Sequence, residues 1–501
     1  MEYITGMPRE QLFLFNQSLD DLIDKKHIVR FIDAYVNSLD MEQLDFIIPK
    51  LKTGTPPYSP QLKLKIYIYG YFEKIRTSRR LEKECHRNKE LIWLTKELAP
   101  DFKTIADFRK DNSKAFKNVF KNFLKFCHKL ELISFKTVAI DGTKMRGQNS
   151  LNEVYKKENI ENIEKEIQEQ IDNYIKELDE MDQMEKTRVG VINQDKMKEI
   201  TTRLTKQIKR KDKIENIKTI FSKDPKLETY FSTDKDCKLQ SDKGKVRAGY
   251  NPQTAVEDKN KLIVVADVTN KQNDKKQFSP MINQVMNTKK ELKVEGHTNG
   301  IGDSGYFSEK AILDNLSQDD LNVIISSSAE ENKTNKDDNK KLRSLNFYQQ
   351  KDFKYHRKND IYICPEKKEL KKIGRDAKPD KNGRDVNVYK CDLKICNICL
   401  QKAKCTKGVN GRKLTVSANK EKMEKYIEDL KTKENKMLIK KRKEIVEHPF
   451  GTIKRSFGYT YFLLKGLEKV KAEFSFICFT YNLKRVLNIV PMDKLITILN
   501  D

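Results

Sequence analysis

Three acidic residues of this sequence lie in settings where carboxylates could do chemistry. Asp141 ends the apolar run TVAID, Asp303 lies in the glycine-bearing segment IGDSGY, and Glu447 lies in EIVEHPFGTIKR, seven residues before Lys454. Carboxylate oxygens are ligands that Mg²⁺ prefers, and two such ions about 3.5–4 Å apart support in-line displacement at phosphorus. The three acids therefore predict a metal site that acts on a phosphodiester, with Lys454 placed to hold a phosphate.

The alternative is that these acids only shape turns. The chain has 74 acidic residues, and an aspartate beside a glycine is more often a turn former or a helix cap than a metal ligand. The metal interpretation depends on the combination of a buried strand before Asp141, a strand-to-helix setting for Asp303, and a basic, aromatic segment after Glu447.

Cysteines form a second candidate site. Cys396 and Cys399 are spaced as a CxxC pair, and Cys364 with Cys405 could complete a tetrahedral zinc site, with Cys391 as an alternative ligand. The alternative is a set of unligated thiols in a reducing compartment.

Charge and length limit the kinds of partner. The chain has 501 residues and a formal net charge of +26, which favours a polyanionic partner and above all nucleic acid. The cations are spread along the chain rather than concentrated in an amphipathic anchor, which disfavours a membrane surface. The start of the chain lacks the pattern of a signal peptide and no apolar run reaches membrane-spanning length, so a cytoplasmic protein is expected.

Helical elements dominate the first part of the chain. Apolar spacings of three and four residues predict several short helices up to about Leu130. The basic stretch from Arg76 to Arg87, which includes Arg79 and Arg80, suits a helix-turn-helix type of DNA contact. A solvated basic face on an ordinary helical bundle is an equally good interpretation.

The central part of the chain predicts a mixed sheet with helices. A buried strand ends at Asp141, further strands are expected near 253–257, 261–268 and 321–328, and a helix is expected at 274–286. A charged helical arm is expected between the first two strands, as a strut or as a contact to phosphates. The predicted units are a helical domain at 1–130, an α/β catalytic domain at 131–150, 240–330 and 436–495, an arm at 151–239, and a Lys-rich, cysteine-bearing segment at 331–435.

Taken together, these segments resemble the DDE transposases of bacterial insertion sequences, closest to the group named for insertion sequence 1182. The resemblance extends over nearly the whole chain. The segments that carry it are PPYSPQLKLKIYIYGYFEKIRTSRRLEKEC, DFKTIADFRKDN, TVAIDGTKM, GDSGYF, the cysteine segment and VEHPFGTIKR.

The resemblance implies a ribonuclease-H-like catalytic fold, interrupted by two insertions, whose acidic triad maps onto Asp141, Asp303 and Glu447. It also implies two Mg²⁺ or Mn²⁺ ions, a helical N-terminal domain that helps to bind terminal inverted repeats, and a dimer or larger assembly on double-stranded DNA near the nucleoid. The implied reaction is hydrolysis at the element's end, followed by strand transfer in which the released 3′-hydroxyl attacks target DNA. Lys454 and Arg455 are the candidate phosphate ligands.

The segment around Glu447 departs from the pattern of related transposases. Those proteins often carry Tyr seven residues and Arg four residues before the glutamate, where this chain has Lys440 and Lys443; Arg442 is the nearest arginine. Pro449 follows closely, so a kink, or a helix whose regular part begins near that proline, is expected.

Two other functions remain open. One is an inactivated or domesticated relative that still binds DNA, and the other is a zinc-containing nucleic-acid-binding protein without catalysis. These two interpretations and an active transposase all explain the positive charge. They differ in whether the three acidic residues bind metal ions and catalyse DNA cleavage.

Overall fold

The computed structural model describes residues 18–48, 56–186, 194–242, 244–327, 348–375, 385–406 and 408–500. The first part of the predicted Lys-rich segment, residues 331–347, lies outside these ranges. No described helix is long and apolar enough to cross a membrane.

Short helices build the N-terminal region, as predicted. They begin at capped turns: the Ser59 hydroxyl, for example, accepts a hydrogen bond from the amide of Leu62, and Pro60 takes the first helical position. The helices are α1 (Ile28–Asn37), α2 (Pro60–Phe72), α3 (Ser78–Cys85), α4 (Lys89–Thr95), α5 (Phe102–Asp111) and α6 (Ser113–Lys129).

A helical arm follows the first two strands of the sheet. Strands β1 (Thr137–Gly142) and β2 (Met145–Arg146) lead to β3 (Val154–Lys156), α7 (Ile160–Lys186), α8 (Gln194–Lys223) and β4 (Thr229–Phe231). Strands β3 and β4 pair at the base of the arm. The two helices share a small core of isoleucines, among them Ile167 and Ile214, which is separate from the main core.

The central sheet is completed after the arm. Its remaining elements are β5 (Lys238–Asp242), β6 (Lys245–Glu257), β7 (Ile263–Thr269), α9 (Phe278–Glu291), β8 (Thr298–Gly302), α10 (Glu309–Leu313) and β9 (Leu321–Ile325). The main order is β7-β6-β1-β8-β9. Strand β6 is antiparallel to β1 and β7, whereas β1, β8 and β9 run parallel. The far half of β6 pairs with β2 and β5. The predicted mixed α/β sheet is confirmed, although β6 starts eight residues earlier than expected.

A second sheet occupies the cysteine-bearing segment. It is antiparallel, in the order β10 (Lys354–His356), β11 (Ile361–Ile363), β12 (Glu369–Arg375), β13 (Val386–Cys391) and β14 (Lys413–Ser417), with short helices α11 (Leu393–Asn397) and α12 (Lys402–Cys405) before the last strand. Side chains such as Tyr362, Leu370 and Val416 give it a core of its own.

Four helices end the chain: α13 (Lys420–Leu430), α14 (Lys433–Gly451), α15 (Leu467–Ile489) and α16 (Met492–Asn500). The expectation that a regular helix begins near Pro449 is wrong. Helix α14 begins at Lys433, includes Pro449 and continues into a π-helical turn, Thr452–Ser456. Pro449 is buried, as are Ile445 and Val446 one turn earlier on the same helix.

Arg76 ties the N-terminal helices to the rest of the molecule. Its guanidinium donates to the carbonyl oxygen of Tyr461 at 2.9 Å, lies 3.6 Å from the Glu473 carboxylate, and stacks on the rings of Tyr459 and Tyr461. The side chains of Arg76 and Glu473 are 6% and 0% exposed. The prediction that Arg76 belongs to an open basic face is therefore wrong, because this arginine is an interior contact.

Replacing Arg76 by alanine should lower the free energy of unfolding by about 3–5 kcal/mol, since the change leaves Glu473 buried without its cation. Urea unfolding followed by circular dichroism measures the effect. The matched control is Arg80→Ala, which removes an exposed arginine 4.0 Å from Glu84 and should change stability by under about 1 kcal/mol. Equal losses in the two variants would contradict the structural role of Arg76.

Candidate metal and DNA site

Asp141 lies at the carboxyl end of the central strand β1. The residues before it, Val138 to Ile140, are fully buried, and Asp141 pairs across the ladder with Thr254 of β6. Its side chain is 24% exposed. Burial raises the pKa of Asp141 to about 6, against the opposing effect of Arg442 and with a further increase from Asp303.

Asp303 is brought beside Asp141 because β8 is the parallel neighbour of β1. It follows Gly302, the last residue of β8, and its carboxylate accepts a hydrogen bond from the amide of Gly305 at 2.9 Å. The carboxyl ends of parallel strands share one edge of a sheet, so two aspartates far apart in the sequence meet there.

Arg442 bridges the two aspartates. Its Nη1 lies 3.6 Å from Asp141 Oδ1, and its Nη2 lies 3.6 Å from Asp303 Oδ2. The side chain is 14% exposed, and Nη1 is buried without a hydrogen-bond partner. The structure therefore brings Arg442, rather than Lys443, to the predicted acids, and a positive charge occupies the space between them.

Glu447 lies elsewhere on the same helix. It is five residues after Arg442, which places it about 140° around the helix axis, and its side chain is exposed, whereas Ile445 and Val446 are buried. Its neighbour His448 accepts or donates a hydrogen bond to the Tyr481 hydroxyl at 2.8 Å, and burial lowers the pKa of this histidine. The structure thus brings Asp141 and Asp303 together but leaves Glu447 on the solvent side of α14.

Lys454 lies at the same end of the sheet as the aspartates. Its Nζ donates to the carbonyl oxygen of Lys144, three residues after Asp141, at 3.0 Å. Arg455, the other predicted phosphate ligand, is exposed on the π-helical turn. Lys454 therefore contacts the segment that follows Asp141, and Arg455 is the next residue of the π-helical turn.

A polar network beneath this edge was not found from the sequence. Asn251 and Gln253 of β6 donate to the Asp274 carboxylate at 2.6 and 2.8 Å, and the Tyr306 hydroxyl donates to Gln253. Lys144 lies 3.8 Å from Asp274. The available signal was in the segments YNPQT and DGTKM: the first places two amide side chains within a strand, where burial requires hydrogen-bond partners, and the second places a lysine just after Asp141.

The predicted DNA-contacting arginines of the N-terminal region are accessible. Arg79 and Arg80 are exposed on α3. The Arg79 guanidinium stacks on the Phe102 ring with 4.9 Å to the ring centroid. Helix α3 is only eight residues long, so the basic face it offers is short.

The five predicted zinc ligands line one small cavity of about 30 Å³: Cys364, Cys391, Cys396, Cys399 and Cys405. All five are free thiols. The sulfur of Cys364 accepts a hydrogen bond from the amide of Lys368 at 3.3 Å. Burial and the nearby Cys396 raise the pKa of Cys391 to about 12.

Ligand geometry is incomplete at both sites. Within the residues described, no three or more His, Cys, Asp or Glu side chains are arranged to hold a metal ion. The aspartate pair is held by an arginine, and the five thiols surround their cavity without converging on one point.

Comparisons with known proteins point to transposases. Residues 363–487 match the family model described as a transposase DDE domain, and residues 17–111 match a transposase domain described as DUF772. Both matches support a DDE transposase. The first spans Arg442, Glu447 and the five clustered cysteines, whereas Asp141 and Asp303 lie outside both. Among curated proteins, no relative matches the sequence.

One solved structure with a similar chain is that of piggyBac transposase in a synaptic complex with hairpin DNA. The identity is 10% and the TM-score is 0.28, over 96% of this chain and 78% of that one.

Proposed function

We propose that the protein is a DNA transposase that binds terminal inverted repeats and cleaves and joins DNA strands with divalent metal ions. The observation that carries the proposal is the meeting of Asp141 and Asp303 at one edge of the sheet, on either side of the Arg442 guanidinium. The two family matches support the same class of enzyme.

The sheet supports the ribonuclease-H-like fold that the sequence resemblance implied. Five strands are mixed in direction, the central strand ends in one acid, and its parallel neighbour ends in the other. The helical arm interrupts this domain between β2 and β5, and the second sheet interrupts it between β9 and α14. Both interruptions agree with the insertions expected from the resemblance.

The aspartate pair fits a hard divalent ion. Both carboxylates offer oxygen ligands, both are partly exposed at 24% and 32%, and the pair already holds a cation. When bound, Mg²⁺ or Mn²⁺ would stabilise the charge that develops on a phosphodiester during displacement and would activate a nucleophile. Asp141 and Asp303 would hold the ions. Arg442 and Lys454 would then bind phosphate oxygens, as the forked guanidinium and the ammonium group are suited to do.

The direct test is metal-dependent cleavage of DNA taken from the two flanks of the gene. The transposase proposal expects nicking at the border of a short inverted repeat with Mg²⁺ or Mn²⁺, and none with EDTA. Repeat-specific binding without cleavage would instead identify an inactivated relative, which acts only by binding DNA.

Glu447 is our candidate for the third acid of the site. Since it faces solvent on α14 while Arg442 faces the aspartates, it could reach the metal only if this helix turned or shifted on binding metal and DNA. Glu447→Gln should then reduce cleavage at least about 10²-fold, with DNA affinity unchanged.

The matched control for that variant is Glu444→Gln, which changes an exposed glutamate one turn earlier on the same helix. It should cleave like the unaltered protein. If Glu447→Gln cleaves DNA at the full rate, Glu447 is not a catalytic residue, and Asp141 and Asp303 are the acids that bind the metal ions.

We further propose that Cys364, Cys396, Cys399 and Cys405 hold a structural zinc ion, with Cys391 as the spare thiol. Their shared cavity and the amide-to-sulfur contact at Cys364 support the site. Zinc would join the β11–β12 turn to the two short helices before β14, in a sheet whose own core is small.

A further inference from the structure

A basic groove lies at the far half of strand β6, away from the aspartate pair. It has a volume of about 610 Å³ and is open to solvent. We call it the β6 groove. It is lined by Arg146, Asn149, Ser150, Leu151, Lys245, Val246, Arg247 and Ala248.

Three cations of the β6 groove form a row. Arg146 of β2 pairs across the ladder with Gly249 of β6, and directly paired residues lie on the same face of a sheet. Arg247 and Lys245 follow Gly249 at steps of two residues, so they share that face. The step from Arg247 to Lys245 is about 6.6 Å long, which equals about two base-pair rises of 3.4 Å along the axis of a DNA duplex.

The charges in the β6 groove are poorly neutralised. Of the described residues that line it, none is acidic, and Arg146, Lys245 and Arg247 are all exposed. The nearest carboxylate in the ladder is Asp242, which pairs with Lys245 at the β5–β6 turn. Arg146 also stacks on the Tyr461 ring at 5.7 Å, which fixes one end of the row. The rim adds two exposed apolar side chains, Leu151 and Val246, that are 52% and 50% exposed.

One continuous strand connects the β6 groove to the acids. Asp141 pairs with Thr254, whereas the cation row occupies alternate positions of the same strand, from the partner of Arg146 at Gly249 to Lys245. A duplex that contacts both would therefore have to follow the right-handed twist of β6. At about 3.3 Å per residue, the row extends from about 17 to about 30 Å from the position of Asp141. Measured along the axis of a duplex, that distance corresponds to about five to nine nucleotides of one strand.

We propose that the β6 groove binds the phosphodiester backbone of the DNA, about five to nine nucleotides from the phosphate that reacts at Asp141 and Asp303. The proposal rests on the function proposed above. Arg146, Arg247 and Lys245 would each face a phosphate, while Leu151 would contact a sugar. Phosphate contacts of this kind fix the position of DNA without reading its sequence.

The test is the salt dependence of binding to an end-containing duplex, measured by fluorescence anisotropy. The double variant Arg247→Ala/Lys245→Ala should reduce the slope of log K against log salt by about 1.8, since each lost phosphate contact accounts for about 0.9. The charge-retaining variant Arg247→Lys/Lys245→Arg should keep the original slope. Lys358→Ala/Lys371→Ala, which removes two exposed lysines from the second sheet, should keep it as well.

Neutral methylphosphonate linkages locate the contact along the DNA. Placed five to nine nucleotides from the cleavage position, they should weaken binding to the unaltered protein and have no further effect on the alanine variant. An unchanged slope in the alanine variant, or an equal loss with the second-sheet lysines, would overturn the β6 groove as a DNA site.

Failure of this proposal is distinguishable from failure of the proposed function. If metal-dependent cleavage persists while the slope is unchanged, the groove proposal falls and the transposase stands. If the slope falls as expected but no metal condition gives cleavage, the groove is supported as a DNA site and the catalytic proposal falls.

Discussion

Asp141→Asn should abolish metal-dependent cleavage of an end-containing DNA while leaving DNA binding intact. Asparagine keeps the shape of the side chain but removes the anionic ligand, and losing about 4 kcal/mol of charge stabilisation corresponds to a rate lower by about 10³-fold. The fold should tolerate the change, because burial already opposes the charge of Asp141 and raises its pKa to about 6. Gel-based cleavage of labelled duplex in Mn²⁺, with anisotropy for binding, measures both properties.

The control for Asp141→Asn is Asp319→Asn, an exposed aspartate in the turn before β9. It has the same chemical change and the same change in net charge, so cleavage should be unaffected. Cleavage by Asp141→Asn at the rate of the control would eliminate the metal mechanism at this edge of the sheet. Loss of both cleavage and DNA binding would instead indicate a folding defect, which circular dichroism would reveal.

Cys396→Ser should release the zinc ion and unfold the second sheet. The unaltered protein should contain one zinc per chain by mass spectrometry of metals, and the variant nearly none. The effect should be large, since structural zinc contributes about 10–16 kcal/mol in small zinc domains at neutral pH, and this sheet has only a small apolar core. Limited proteolysis should therefore cut the variant between β10 and β14.

Cys391→Ser is the matched control for the zinc prediction, because it alters a thiol that lines the same cavity but is assigned no metal. It should retain one zinc and resist proteolysis. Unaltered protein without zinc would refute the site. If zinc is lost from Cys391→Ser but kept in Cys405→Ser, then Cys391 is the fourth zinc ligand and Cys405 is the spare thiol.

The strand ends that carry the acids could be predicted because local sequence determines them. A β-branched, apolar run stops at Asp141, and a glycine-bearing turn follows Asp303, so both positions can be inferred without knowledge of their neighbours. Asp141 and Asp303 lie close together only because β1 and β8 pair in parallel. The alternation of strands and helices in the sequence made such a parallel pairing a reasonable expectation.

The identity of the residue facing the acids could not be predicted. Lys440 to Lys443 form a run of four cations, and which of them faces the sheet depends on helix phase. That phase is set by burial of Ile445, Val446 and Pro449, which is a tertiary effect. The same packing directs Glu447 to solvent.

The second sheet was missed for a different reason. Its strands are three to seven residues long and rich in lysine, so their alternating apolar positions, such as Leu370 in β12, give little periodic signal. The early start of β6 was missed because its first residues are charged and pair only with the short strands β2 and β5.

The separate core of the helical arm bears on how the catalytic edge assembles during folding. Strand β1 must find β6 and β8 across a long intervening segment, and non-local pairing of this kind slows folding. Because α7 and α8 pack on each other and β3 pairs with β4, the arm can fold locally and bring its two ends together first. The flexible loop that must close between β1 and β6 is then much shorter than the full insertion. Even without this shortening, each doubling of the length of a flexible loop adds only about 0.6 kcal/mol to the entropic cost of closing it. A long insertion at this point thus adds little to the entropic cost of joining the two aspartates.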